Sequence, residues 1–355
     1  MKPASKAFLK TLLNTISPSG YEAEAANLWQ TEAQSFAPDV RRDAHGNTDA
    51  VVNPGGKVRV MLAGHCDEIG FLVSHIDDDG FLWVAPIGGW DPQISQGQRV
   101  WILTDKGRIS GVIGKKPIHL LDSSARKKVV QLKEQWVDIG VGDKKQAEKL
   151  VSVGDPLVLA YEYQALQGDV VAGRGIDNRV GAFVVLEAAR ILSRLKPQAE
   201  VHAVATVQEE IGLRGARTAA FGIEPHVGIA VDVTFATDHP SIKDVVRREG
   251  AVRLGAGPVV TRGPNINPKV FQLLVDTAKK EKIDIQINAE PRGTGTDANA
   301  LQLNRAGVAT GLISVPNRYM HSPCELVSLS DLEACAQLLA KAVARISSKM
   351  QWAPF

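Results

Sequence analysis

Cysteine is scarce in this chain. Cys66, Cys324 and Cys335 are the only three among 355 residues. That is too few for a disulfide framework and suits a reducing compartment, so a cytoplasmic protein is expected. Charge of one sign is also missing: 41 Lys and Arg against 39 Asp and Glu leave a net charge of +2. Such a balance gives no electrostatic reason to expect nucleic acid or a membrane surface as partner. Long apolar runs are absent too. The most apolar stretch, residues 180–192, is interrupted by Glu187 and Arg190, which argues against a membrane span. The lysines of the first seven residues lead into no apolar stretch of the kind a secretory signal needs. Aromatic residues make up 5 % of the chain. Trp83, Trp90, Trp101 and Trp136 cluster in one β-type region and read as packing or interface anchors rather than a sugar platform.

What remains is ordinary for a soluble protein, with 44 % hydrophobic and 23 % charged residues, and a length that points to two domains. Residues 5–36 have a helical pattern broken at Ser17-Pro18-Ser19-Gly20. Residues 58–63 form a strand signal that ends at Gly64-His65. From about residue 70 to 159 the texture changes to short β-type runs (71–73, 81–84, 99–103, 109–113 and 137–141) separated by turn residues such as Asp79-Gly80. This pattern predicts a small β-barrel or sandwich inserted into an α/β framework. After Gly168 the α/β texture returns. Helices are expected over 180–195, 268–282, 297–306 and 330–347, and strands over 201–207, 227–233, 283–287 and 309–315. Ser328 or Ser330 is a candidate N-cap for the last helix, with Ser330 and Glu333 spaced as a capping box.

Chemistry-bearing side chains fall where the apolar runs end. His65 closes the first strand and Asp67 follows two residues on, a spacing that lets a carboxylate fix the imidazole tautomer while the other ring nitrogen binds a metal. A turn histidine with a capping aspartate is the plain alternative. Asp177 lies in Gly173-Arg174-Gly175-Ile176-Asp177-Asn178-Arg179, where an N-cap is the commoner role and a metal bridge the rarer one. Glu209 and Glu210 follow a strand. Two adjacent carboxylates next to apolar sequence are costly unless cations offset their repulsion. Asp232 lies inside an apolar strand, expensive to bury unpaired, and His321 follows the strand over 309–315. In an open α/β sheet such strand ends converge on a crevice where ligands bind. Two histidines with several carboxylates form a donor set for zinc, cobalt or manganese. The set reads as a two-metal hydrolase.

The segments Ala63-Gly64-His65-Cys66-Asp67-Glu68-Ile69-Gly70, Gln208-Glu209-Glu210-Ile211-Gly212, Asp232-Val233-Thr234, Thr296-Asp297-Ala298 and Arg318-Tyr319-Met320-His321-Ser322-Pro323, with the Asp177 segment, occur in one order. In that order they resemble the tetrahedral (TET) metallo-aminopeptidases, some of which carry an endoglucanase label. The resemblance covers nearly the whole chain. It implies an α/β fold: a mixed-sheet metallopeptidase domain from residues 1–69 and 165–355, with a small β-barrel-like dimerisation domain inserted at 70–164. It further implies two divalent ions per subunit. Asp177 would bridge them, His65 and Asp232 would hold one, and Glu210 and His321 the other. Glu209 would be the general base, and Asp67 would orient His65. Peptide substrates and a homo-oligomer, a tetrahedral dodecamer built from dimers, follow from the same likeness. Asn178 stands where many relatives have a second aspartate. The loop from Arg292 to Asp297 and the segment after Asp232 are expected to wall the site for the substrate side chain, with Arg292 a candidate for attracting acidic residues. The alternatives are a related di-metal amidohydrolase or carboxypeptidase acting on acylated amino acids, a glycosidase, and a non-catalytic assembly protein.

Overall fold

A computed structural model describes residues 1–354 other than 241 and 243. An eight-stranded mixed sheet forms its centre. Four neighbouring strands, Glu200–Thr206, Arg59–His65, Val227–Phe235 and Ala309–Asn317, run parallel. They are nearly continuous apolar runs because both faces of a parallel sheet are covered. The edges continue through Thr48–Val52 and Asp39–Arg42 on one side, and Val259–Arg262 and Gln286–Ala289 on the other.

Glycines show how the helices divide between the two faces. A side chain at Gly64 would strike the backbone of Gly181 in the Ile176–Leu195 helix, and one at Gly311 would strike Val270 in the Pro268–Glu281 helix. A side chain at Gly228 would instead meet Leu301 of the Asp297–Gln302 helix. Gly228 pairs with Met61, and Gly311 pairs with Ile229, which pairs with Leu62. Successive residues of a strand face opposite ways, so the first two helices share one face and the Asp297–Gln302 helix lies on the other. The core between these layers includes Leu62, Phe183, Val204, Ile229 and Ile313, all at most 1 % exposed.

Between the strand that ends at His65 and the small sheet strand Val170–Gly173, six antiparallel strands close into a barrel, in the order Gly70–Ile76, Leu82–Ile87, Trp136–Asp138, Gly107–Gly114, Arg99–Thr104 and Pro156–Leu159. The barrel has its own core around Phe71, Val100, Ile102 and Leu157. The mixed α/β sheet and the barrel agree with the fold class read from the sequence. Local bounds differ. The strand expected at 283–287 lies at Gln286–Ala289, and the helix expected over 297–306 stops at Gln302. The last helix spans Leu329–Ala344 with Ser328 as N-cap, but no capping box forms. Its N-terminus is closed by Asp169, whose Oδ2 accepts from the Ser330 amide at 3.0 Å and whose carbonyl accepts from the Leu329 amide at 2.9 Å. Glu333 instead pairs with the amino group of Met1 at 2.8 Å. A distant carboxylate has displaced the local one.

Candidate metal centre

The parallel strands all end on one side of the sheet, and that side collects the residues singled out above. His65 is the last residue of its strand and 1 % exposed. Glu209 and Glu210 follow the neighbouring Glu200–Thr206 strand, Asp232 lies within Val227–Phe235, and His321 follows Ala309–Asn317. Asp177 comes from above, at a non-helical interruption in the first turn of its helix, and its peptide bond to Asn178 is cis. Asn178 anchors that turn, donating from Nδ2 to the Val231 carbonyl at 2.8 Å and accepting the Gly181 amide at 2.9 Å.

The donor atoms converge. Asp177 presents Oδ1 to His65 Nε2 at 3.3 Å and Oδ2 to His321 Nε2 at 3.4 Å. Glu210 Oε2 is 3.5 Å from His321 Nε2, and Asp232 Oδ1 is 3.9 Å from His65 Nε2. Among the described residues, two three-residue groups have ligand atoms close enough together to hold an ion: His65, Glu209 and Asp232, and His65, Asp177 and Glu210. Glu209 therefore joins the donor cluster itself, with Oε2 3.7 Å from His65 Nε2. Asp67 sits behind. Its Oδ1 is 3.3 Å from His65 Nδ1 and accepts the Glu209 amide at 3.1 Å, while Oδ2 accepts the Ser19 hydroxyl at 2.6 Å. One carboxylate thus ties a strand end to the neighbouring Glu-Glu loop.

The electrostatics are lopsided. Burial, reinforced by Asp232, Asp297 and Asp67 despite the opposing influence of His65, pushes the Glu209 carboxyl up to about 10. Burial and neighbouring carboxylates also push Glu210 and Asp232 far above the usual range. For Asp177 burial acts upward, but hydrogen bonds from His321 and His65 outweigh it and draw the group down to about 2. Glu210 Oε1 is buried with no hydrogen-bond partner among the described residues. An orphaned buried carboxylate oxygen among surplus carboxylates is what a cation would complete, so the donor set fits divalent metal.

A cavity of about 430 Å³ opens over this cluster. A larger cleft of about 830 Å³ lies by His226 and Ala309, at the opposite ends of the parallel strands, and contains none of these donors. The family model for the M42 glutamyl aminopeptidases matches residues 46–338. The chain belongs to the M42 aminopeptidase family. The lysyl aminopeptidase of Pyrococcus furiosus is 40 % identical to it, across 98 % of each chain. Among solved structures, a TET aminopeptidase from a marine sediment Thaumarchaeota archaeon superposes with a TM-score of 0.93 at 35 % identity, covering 98 % of this chain and 97 % of that one. The TET1 peptidase of Pyrococcus horikoshii does so with a TM-score of 0.86 at 32 % identity, over 96 % of this chain and all of the other (100 %). As a member of the M42 family the protein is a hydrolase of the aminopeptidase class.

Two supports of this M42 site, Glu325 and Gly89, escaped the sequence reading. Glu325, 2 % exposed, accepts the Asp177 amide and the His321 amide at 2.9 Å each, one with each oxygen. It thereby clamps the two loops that carry those side chains, and it holds His321 at the positive φ of 58° that a non-glycine residue rarely adopts. The carbonyl of Gly89, in a barrel loop, lies 2.8 Å from His321 Nδ1 and sets the ring so that Nε2 faces Asp177. A side chain at Gly89 would crowd that ring at 3.4 Å. Asp297 accepts the Thr206 hydroxyl at 2.6 Å beneath the cluster. An acidic residue four places after His321, opening an apolar run, was the available signal for Glu325. Arg292 is exposed, does not line the cavity, and gives its amide to Glu290 at 3.2 Å.

Proposed function

We propose that the protein removes residues one at a time from the N-termini of peptides by hydrolysis assisted by two divalent metal ions, with Glu209 as general base. The observation that carries this reading is Asp177, whose two oxygens face two different histidines at 3.3 and 3.4 Å. Asp177 would contact both ions, with His65 and Asp232 holding one and Glu210 and His321 the other. Bound zinc, or cobalt or manganese in its place, would polarise the scissile carbonyl and lower the pKa of the attacking water.

Asp67 keeps His65 turned so that Nε2 points into the cluster, through its 3.3 Å approach to Nδ1. Glu209 accepts a proton from water as the hydroxyl adds to the carbonyl carbon, and returns it to the amine nitrogen as the C–N bond breaks. Burial and neighbouring carboxylates raise its proton affinity, and bound cations would lower it toward the range in which a general base is ionised.

Residues 1–69 and 165–355 would form the catalytic domain, and residues 70–164 a dimerisation domain. The barrel segment exposes Ile118 and Leu120 at 56 % and 66 %, as an interface would. The Pyrococcus horikoshii relative is described as assembling into a tetrahedron or a large octahedral shell. A tetrahedral dodecamer is the corresponding proposal here, with action in the cytoplasm on peptides and unfolded ends. No described helix is long and apolar enough to cross a membrane.

The rival is a di-metal amidohydrolase or carboxypeptidase acting on acylated amino acids, which the same donor set could serve. Aminoacyl-anilides and N-acyl amino acids, offered to chelated enzyme reloaded with zinc, cobalt or manganese, separate the two. Cleavage of the free-amine set alone, abolished by chelation and restored by metal, is expected. Cleavage of the acylated set alone would overturn the proposal.

A further inference from the structure

The cavity is larger than the donor cluster needs, and the rest of it has a charge of its own. Beyond the cluster it is walled by Val252, Leu312 and Met320 and carries two further carboxylates, Glu249 and Glu290. Among the described residues no lysine or arginine lines it, and the side chains there able to carry positive charge are the proposed ligands His65 and His321. Glu249 ends the short Val246–Glu249 helix, and its one ion-pair partner among the described residues is the adjacent Arg248, itself 80 % exposed. Glu290 follows the edge strand Gln286–Ala289. The hydrogen bond recorded for its carboxylate comes from the Arg292 amide, leaving further acceptor positions free for a ligand. The two carboxylates come from separate parts of the fold, so their meeting in one cavity follows from tertiary structure and not from an acidic stretch of sequence.

From this we infer that the outer part of the cavity receives the side chain of the substrate's first residue, and that Glu249 and Glu290 select lysine and arginine there. The inference rests on the aminopeptidase reading. If the scissile carbonyl lies at the donor cluster, the first side chain has the remainder of the same cavity to occupy. A lysine or arginine side chain matches it in two respects. Its methylene stem can lie along Val252, Leu312 and Met320, while its charged end reaches the carboxylates. A glutamate side chain would meet two like charges with no cation to answer it, so the acidic preference in the family's descriptive name is not expected of this chain.

Lysyl, arginyl, leucyl and glutamyl anilides, compared by kcat/KM with the metal-loaded enzyme, test the inference. The wild type should prefer Lys and Arg over Leu, and Leu over Glu. In the Glu249→Gln, Glu290→Gln double variant the Lys-to-Leu ratio should fall by roughly tenfold or more. Glu290→Lys should raise the rate on the glutamyl substrate above the wild-type rate, a gain that misfolding would not produce. Faster cleavage of Leu or Glu than of Lys by the wild type, or an unchanged Lys-to-Leu ratio in the double variant, would overturn the assignment while leaving an aminopeptidase. Failure on every free-amine substrate alongside cleavage of N-acyl amino acids would instead overturn the reading beneath it.

Discussion

Asp67 and Glu68 are neighbours in sequence, yet they serve two buried charge clusters that are balanced in opposite ways. Glu68 is 2 % exposed and is met by Arg174 Nη1 at 2.6 Å and Arg179 Nη1 at 2.7 Å, with the Ser17 amide at 3.0 Å. Burial alone would raise its carboxyl, but the two guanidinium groups outweigh burial and hold it low. The spare donors of Arg179 go to the carbonyls of Leu13 and Thr15 at 3.0 and 2.9 Å. That cluster finds its counter-charges within the chain, although Arg179 Nε is buried without a hydrogen-bond partner among the described residues, and it braces the floor of the site. On the other side, Asp67 backs a set in which Glu209, Glu210 and Asp232 are pushed up by burial and by neighbouring carboxylates, against which His65 is too little. The difference teaches that burying carboxylates is not in itself a sign of function. What marks a site is a carboxylate surplus that the chain does not neutralise.

The linkage signs differ accordingly. A carboxyl held low in the folded state adds stability above its unfolded value, and that stability is lost as pH falls through the folded value. This is the behaviour expected of Glu68. A carboxyl raised in the folded state contributes stability below its unfolded value, which is lost as pH rises. Chelated protein should therefore lose stability as pH rises from about 4.5 toward the Glu209 value of about 10. Added divalent metal should remove most of that slope.

Four substitutions would break or sharpen the contrast. Glu209→Gln has the largest expected effect, a fall in kcat of about 10²–10⁴-fold, with metal content by elemental analysis close to wild type. Arg179→Met attacks the balanced cluster instead. Leaving Glu68 under-paired should cost about 3–5 kcal/mol of unfolding free energy in denaturant titrations. Glu325→Gln should weaken metal binding by about 10–100-fold in calorimetric titration, because one of the two loop amides loses its acceptor. If its affinity matched wild type, Glu325 would be only a packing residue. The smallest effect belongs to His202, which lies far from either cluster between Asp49 at 2.9 Å and Glu200 at 3.0 Å. Burial opposes its charge, but the two carboxylates outweigh it and raise the imidazole above its usual value. A raised histidine adds stability below its unfolded value that disappears as pH rises through the folded one. His202→Gln should remove that pH dependence, worth about 1 kcal/mol, from melting profiles taken across neutral pH.

Much of this was legible in the sequence, for a definite reason. Each donor sits at or next to the end of an apolar run, and strand ends of a parallel sheet meet on one side. Residue type plus strand position was therefore enough to gather His65, Glu209, Glu210, Asp232 and His321. The barrel was legible from its short β runs. Supports that act through the backbone were not. Glu325 bonds an amide 148 positions away, and Asp169 caps a helix from a distance of 161 positions. No local pattern carries such pairings, and the capping box expected from Ser330 and Glu333 lost to one of them. The edge strand at Gln286–Ala289 shifted because its register is set by pairing with Val259–Arg262 and not by its own apolar residues.

The central claim is that the surplus carboxylates are balanced by two cations that share Asp177. Calorimetric titration of zinc into chelated wild type and Asp177→Asn tests it most directly, with the circular dichroism of the variant as a folding control. The account predicts two ions per subunit in the wild type and a folded variant in which both are weakened. Uptake by the folded variant that matches wild type, or a wild type that takes up no metal at this cluster, would contradict it.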